Sequence, residues 1–202
     1  MTHKKAEQKE DLRIQRTRGL ILNAFIELVV EKGFAAVTVQ DITERAMVNR
    51  STFYRHYLDK FDLVDKYLEQ VYELVSEVEV TAENVGMMHE ESPSGLVRML
   101  KHVEAHGDFY RVMLGPKGDP HFTERFLKMP EKRFRYFLSL KPADNSPNAL
   151  PVDLRLNYIA YADVGAILWW LDNNQPCSVE QLARWLNVLT SASAGFTQPQ
   201  SG

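Results

Sequence analysis

Along this chain apolar residues recur every three to four positions, the spacing of one helix face, and no stretch shows the alternation of a strand. The pattern predicts a first helix over residues 15–32, with Ile21, Phe25, Leu28 and Val29 on one stripe and Gly33 placed to end it. Residues 1–14 are polar and predict a frayed tail. Thr38 with Asp41 three positions on is a capping-box arrangement that opens a short second helix, whose apolar face is Val39, Ile42 and Ala46. Val48-Asn49 reads as a turn, with Asn49 capping a third helix over residues 50–56. Asp59 caps a long fourth helix that carries Tyr67, Leu68, Val71 and Val75 and fades near Asn84.

Residues 90–95 predict a loop, followed by helices over residues 94–104, 108–114, 120–127 and 130–140. Three prolines within residues 141–151 mark a linker or mobile loop. Two strong helices follow, over residues 152–172 and 178–194, the second opened by Ser178 with Gln181 as a capping box, and residues 197–202 predict a disordered tail. The expected fold class is all-α: a helix-turn-helix DNA-binding domain over residues 15–58, then a helical effector-binding and dimerisation domain over residues 59–196.

With 45% hydrophobic and 25% charged residues, the chain has the ordinary composition of a domain that buries a core. No apolar run approaches the roughly 20 residues of a membrane span, and the basic N-terminus is not followed by the apolar region of a secretory signal. The single cysteine, Cys177, excludes an internal disulfide framework and a cysteine-based zinc site, so a reduced, cytoplasmic setting is expected. Residues 1–60 carry eleven Lys/Arg against eight Asp/Glu, a net of +3, while the remainder is at −6. A basic head on an acidic body permits nucleic-acid binding but adds little weight by itself.

The informative stretch is residues 38–60. Two short capped helices flank a tight turn, and Val39, Ile42, Ala46, Val48, Phe53 and Tyr57 can close a small core with the first helix. That is helix-turn-helix geometry, in which the second helix of the motif enters the major groove. Its outward face would carry Arg50, Ser51, Thr52, Tyr54, Arg55 and His56, all able to donate hydrogen bonds to phosphates or base edges, with no acidic residue between Asn49 and Leu58. The N-terminus of the fourth helix can hold a phosphate through its free N–H groups, Lys60 adding charge. A plain trihelical packing unit with a polar surface remains the alternative on periodicity alone.

Residues 20–68 resemble the N-terminal domain of the TetR (tetracycline repressor) family, most specifically the segments Gly33-Phe34-x-x-Val37-Thr38-Val39-Gln40-Asp41-Ile42 and Arg50-Ser51-Thr52-Phe53-Tyr54-Arg55-His56-Tyr57-x-Asp59-Lys60. The resemblance implies DNA contacts at Thr38, Gln40, Arg50, Ser51, Thr52, Tyr54, His56 and Lys60, with Phe53 and Tyr57 packed inward. Met47 departs from the family, which often has Gly in this turn; a left-handed backbone there would cost a side-chain-bearing residue about 1 kcal/mol. More loosely, residues 102–126 and 161–186 resemble the C-terminal domain of a TetR subgroup related to dihydroxyacetone-kinase control proteins.

That likeness implies a homodimer on a palindromic operator, usually a repressor, with the last two helices pairing as a four-helix bundle. The interface residues expected are Leu156, Ile159, Ala160, Ala166, Ile167 and Trp170, with Leu182, Trp185, Leu186 and Leu189, although the same stripes would also serve to close the subunit core. His102, His106, Phe109, Tyr110, Met113, Phe126 and Trp169 are candidates for lining an effector cavity, against the alternative of plain core. His102 and His106 share a helix face, but nothing completes a familiar metal motif, and neither metal nor cofactor is expected. Asp163, in an apolar helix, is compatible with ligand binding, pairing across a dimer or facing solvent. With no nucleophile–base pair and no glycine-rich phosphate loop, an enzyme is not expected.

Overall fold

The computed structural model describes residues 2–76, 94–128, 131, 135 and 150–193. Among them the chain is helical without strands: α1 (Thr2–Lys32), a 3-10 turn (Phe34–Ala36), α2 (Val39–Arg45), α3 (Arg50–Tyr54), α4 (Lys60–Ser76), α5 (Ser94–Ala105), α6 (Gly107–Met113), α7 (Pro120–Lys128), α8 (Val152–Asp172) and α9 (Val179–Ser193). The helix expected over residues 130–140, the loops around it and at residues 90–93, the fourth helix beyond Ser76 and the tail from residue 197 lie outside the described residues, Glu131, Arg135, Leu150 and Pro151 excepted.

The expected frayed tail is a correction. α1 starts at Thr2. Its first half holds Ala6, Glu7, Gln8, Lys9, Glu10, Leu12 and Arg13, straight-chain residues that lose little freedom in a helix, and no Pro or Gly interrupts them. Polarity alone does not separate such a helix from a frayed segment.

The described residues up to Glu69, together with Asp108–Phe122, form one compact unit; those from Gln70 to Gly107, with those from Thr123 on, form another. The first unit is therefore not contiguous in sequence. Its core joins Ile21, Phe25 and Val29 of α1 to Phe34, Ile42, Phe53, Val64 and Tyr67, and also to Phe109, Tyr110, Met113 and Phe122. Phe109 sits edge-on to Phe25 and to Phe122 at centroid distances of 6.0 and 5.8 Å. The Tyr67 and Tyr110 hydroxyls meet at 3.2 Å in this core, which satisfies two buried polar groups. In the second unit α5, α8 and α9 bury Leu100, Val103, Leu156, Ile159, Ile167, Trp170, Leu182 and Leu186. Trp170 donates its indole N–H to the Cys177 carbonyl at 2.9 Å, tying the end of α8 to the turn before α9.

Candidate nucleic-acid interface

The start of α2 is fixed by side chains. Thr38 sits in an extended conformation and accepts from the Asp41 N–H at 3.2 Å, while Asp41 accepts from the Thr38 N–H at 2.8 Å, a complete capping box. Lys32 reaches Asp41 at 2.7 Å, and the Lys32 and Thr38 donors hold the Asp41 carboxyl well below its ordinary pKa. At the other end of α2, Arg45 makes a two-pronged bond to Glu31 (both 2.7 Å) and a third to Glu27 at 3.2 Å, clamping α2 to α1.

The turn between α2 and α3 pivots on Met47, which is 91% exposed with φ 53°. The left-handed backbone foreseen at this position is therefore present, carried by a residue with a Cβ. Asn49 holds the N-cap backbone geometry of α3 but makes no side-chain cap bond; its carbonyl accepts from the Thr52 N–H instead. The expected side-chain cap is thus corrected to a backbone one, and α3 closes at Tyr54, two residues short of expectation.

α3 is anchored by Phe53, wholly buried, with Tyr57 behind it at a ring separation of 5.5 Å. Arg50, Ser51, Tyr54 and Arg55 are exposed, and Thr52 and His56 are half-buried. The Arg50 guanidinium lies 6.0 Å from the Tyr54 ring centroid. Burial, then the charges of Arg18, Arg55 and Lys66, push the His56 pKa down, so the imidazole is neutral at neutral pH. Sequence spacing gives no hint of the Arg18 contribution. Thr38 and Gln40 are exposed at the front of α2, the Gln40 amide donating to Glu44 at 2.8 Å.

Asp59 caps α4 as expected, accepting from the N–H groups of Phe61 and Asp62. Lys60 differs from expectation. Its ammonium donates to the carbonyls of Phe34 (3.0 Å), Ala35 (3.3 Å) and Val37 (2.9 Å) and lies 4.5 Å from the Phe34 ring centroid. Three donors meet three acceptors inside the first unit, so in this structure the ammonium is turned onto the protein's own backbone.

The candidates for an effector cavity do not form one group. Phe109, Tyr110 and Met113 are fully buried in the aromatic core of the first unit. In the second unit, His102 and His106 have ring centroids 4.8 Å apart, and burial, then His106, pushes His102 down to about 4. Phe126 is buried and Trp169 is 49% exposed. A groove of about 480 Å³ opens between α7 and α8, floored by Leu127, Leu156, Ala160 and Tyr161 and edged by Lys128, Arg135, Asp153 and Asn157. Among the described residues no three potential ligands gather around a metal position.

The expected dimer residues also divide. Leu156, Ile159, Ile167, Trp170, Leu182 and Leu186 are buried within the single chain, where they close the subunit core. Ala160 and Ala166 are half-buried, whereas Trp185 and Leu189 are exposed. Leu154, Tyr158 and Tyr161, exposed with Trp169 on α8, and Val188 on α9 form an exposed apolar set that the sequence reading did not single out. Their signal was a second stripe at three- and four-residue spacing on helices already apolar elsewhere.

Two family models match the chain: one described as bacterial regulatory proteins, tetR family, over residues 21–67, and one as a transcriptional regulator C-terminal region over residues 90–192. The chain belongs to the TetR family. A TetR regulator from Streptococcus agalactiae superposes with a TM-score of 0.64 at 28% identity, over 91% of this chain and 98% of that one. The dihydroxyacetone kinase operon activator DhaS superposes with a TM-score of 0.60 over 91% of this chain and 98% of its own, and at 19% identity shows the fold alone. An uncharacterised helix-turn-helix regulator of Bacillus subtilis, YxbF, is 24% identical over 88% of this chain and 45% of its own length. Another, YdeS, is 42% identical over 28% of this chain and 29% of its own. The chain thus spans under half the length of these curated relatives. The proteins named here are transcriptional regulators, not enzymes, and no helix among the described residues is long and apolar enough to cross a membrane. The TetR model over residues 21–67 takes in α2, α3 and the start of α4, the same stretch that the sequence motif singled out.

Proposed function

We propose that this TetR protein binds a palindromic operator as a homodimer and represses transcription. The observation that carries the reading is α3 itself. A five-residue helix held by buried Phe53 presents Arg50, Ser51, Tyr54 and Arg55 to solvent with no acidic side chain among them. Such a face suits base edges and phosphates, with Thr38, Gln40, Thr52 and His56 flanking it. Two copies would set their reading helices in successive major grooves about 34–36 Å apart.

The partner for dimerisation is a second copy meeting the exposed stripes of α8 and α9. Tyr158, Tyr161, Trp169, Trp185, Val188 and Leu189 are large, apolar or aromatic and between 45% and 65% exposed. Exposed apolar side chains gathered on two helices suit an interaction surface. A small-molecule effector would act from the second unit, where the groove between α7 and α8 has the size of a ligand site. A solved FadR from Bacillus subtilis, alike in fold only at 14% identity, holds stearoyl-CoA.

Selecting bound DNA from a random pool tests the reading. The expected product is a two-fold motif with half-sites one helical turn apart, bound less tightly as salt rises. Tyr54→Ala should weaken that complex without altering the helical content of the chain. Recovery of no motif would sink the reading.

A further inference from the structure

We propose that Arg18, on α1, is a further DNA contact of the reader: together with Arg55 it holds a backbone phosphate at the edge of the groove that α3 enters. This rests on the DNA-binding reading above. It adds a residue that precedes the family match over residues 21–67.

Arg18 continues the inward stripe of α1. Ile21, Phe25 and Leu28 fill that stripe with buried side chains. Arg18 stands three positions before Ile21 and seven before Phe25, on the same face one turn earlier. Helical side chains lean toward the N-terminus, so the guanidinium clears the core and is exposed. The residues that feel its charge show what it faces. After burial, Arg18 is the next cause that lowers the His56 pKa, ahead of Arg55 and Lys66. At Tyr57 burial raises the hydroxyl pKa, and Arg18 opposes it against Asp62. Screening confines such influence to roughly a Debye length, about 8–10 Å. Arg18 therefore stands at the C-terminal end of the reading helix, beside Arg55 and His56.

The carboxylates of this part of the chain are engaged elsewhere. Asp41 holds Lys32, Glu27 and Glu31 hold Arg45, Asp62 holds Lys66, and Asp59 caps α4. Among the described residues no carboxylate pairs with Arg18 or Arg55. No acidic residue occurs between Asp11 and Glu27, or between Glu44 and Asp59. Two acid-free stretches thus meet where Arg18 and Arg55 stand. Two guanidinium groups with no anion between them repel, and a phosphate placed there relieves the repulsion. The planar fork of each matches a pair of phosphate oxygens. His56, neutral beside them, offers an N–H donor without a third positive charge. With α3 in the major groove, such a site at its end meets the sugar–phosphate strand, which positions the reader without reading sequence.

The test uses the full chain, the selected operator and an unrelated duplex, with affinity measured across a salt series for wild type, Arg18→Gln and Arg18→Lys. A phosphate contact predicts that Arg18→Gln loses about tenfold in affinity for both duplexes alike. It also predicts a slope of log affinity against log salt that is shallower by about one. Arg18→Lys keeps the charge and should restore the slope, while recovering only part of the affinity because an ammonium lacks the fork. In the free protein, the titration of the His56 imidazole followed by NMR should move up in Arg18→Gln and stay in place in Arg18→Lys. An unchanged salt slope in Arg18→Gln overturns the proposal, and so does a loss confined to the operator. An unchanged His56 titration overturns it as well, whether or not DNA binds, because Arg18 would then stand away from α3. A wild type that binds neither duplex removes the DNA reading, and this contact with it, even where His56 titrates as expected.

Discussion

α3 and α8 solve opposite problems with helices of five and 21 residues. α3 buries one aromatic side, and the rest of its surface is free to be read as function. α8 has apolar side chains around most of its circumference, with Leu156, Ile159, Ile167 and Trp170 inside and Leu154, Tyr158, Tyr161 and Trp169 outside. A single stripe tells a reader which face is core. Two stripes on one helix do not tell a reader which is core.

The largest test of that contrast is the adjacent pair Trp169 and Trp170. Trp170 is fully buried and hydrogen-bonded, while its neighbour is 49% exposed. Trp170→Ala should destabilise the chain by about 3–5 kcal/mol in chemical denaturation, the usual range for emptying a large aromatic site. Trp169→Ala should leave the unfolding of the isolated chain almost unchanged and instead raise the concentration at which sedimentation shows dimers. Equal effects of the two substitutions on unfolding would erase the distinction between inner and outer stripes.

Asp163 sharpens the same comparison, because it is a carboxyl on the apolar helix. It accepts from the Thr190 hydroxyl of α9 at 3.3 Å, a contact inside the subunit that is none of the three roles its sequence context suggested. Burial raises its pKa to about 7. The folded chain therefore holds a proton that the unfolded chain gives up near pH 4, and stability falls as pH rises from about 4 to about 7, then levels off. The drop attributable to this group is about 4 kcal/mol. Asp163→Asn should flatten that part of the stability profile and leave the variant more stable than wild type at pH 8; a profile that keeps its slope would mean that Asp163 is ionised in the folded chain.

The head was legible because its signals are local. Thr38 with Asp41, Asp59 before α4, and the single stripes of α1 and α2 each act within a few residues, and they appear where the spacing put them, with Val39 of α2 only half-buried. What escaped was long-range. Nothing near Lys60 in sequence announces the three carbonyls some 25 residues earlier, and nothing in residues 108–122 says that Phe109 and Tyr110 fill the core beneath α1. The frayed tail failed for another reason: helix propensity operates without a buried face, and hydrophobic periodicity is blind to it.

The smallest effect belongs to the turn. Met47 holds φ 53° while 91% exposed, so it contributes almost no burial that would offset the steric cost of a left-handed backbone. Neighbouring bonds fix the conformation: the Met47 N–H donates to Glu44 and the Val48 N–H to Thr43, at 3.2 and 3.0 Å. Met47→Gly removes the clash between Cβ and backbone but adds freedom to the unfolded chain, and the two terms oppose each other. The net expectation is a gain of about 0.5 kcal/mol, read as a small rise in melting temperature, with operator affinity unchanged because the turn geometry is unchanged. Met47→Val tests the sign: a β-branched side chain tolerates this backbone least, so it should lower stability by more than the glycine raises it. A loss with glycine would show that the freedom added to the unfolded chain outweighs the strain removed.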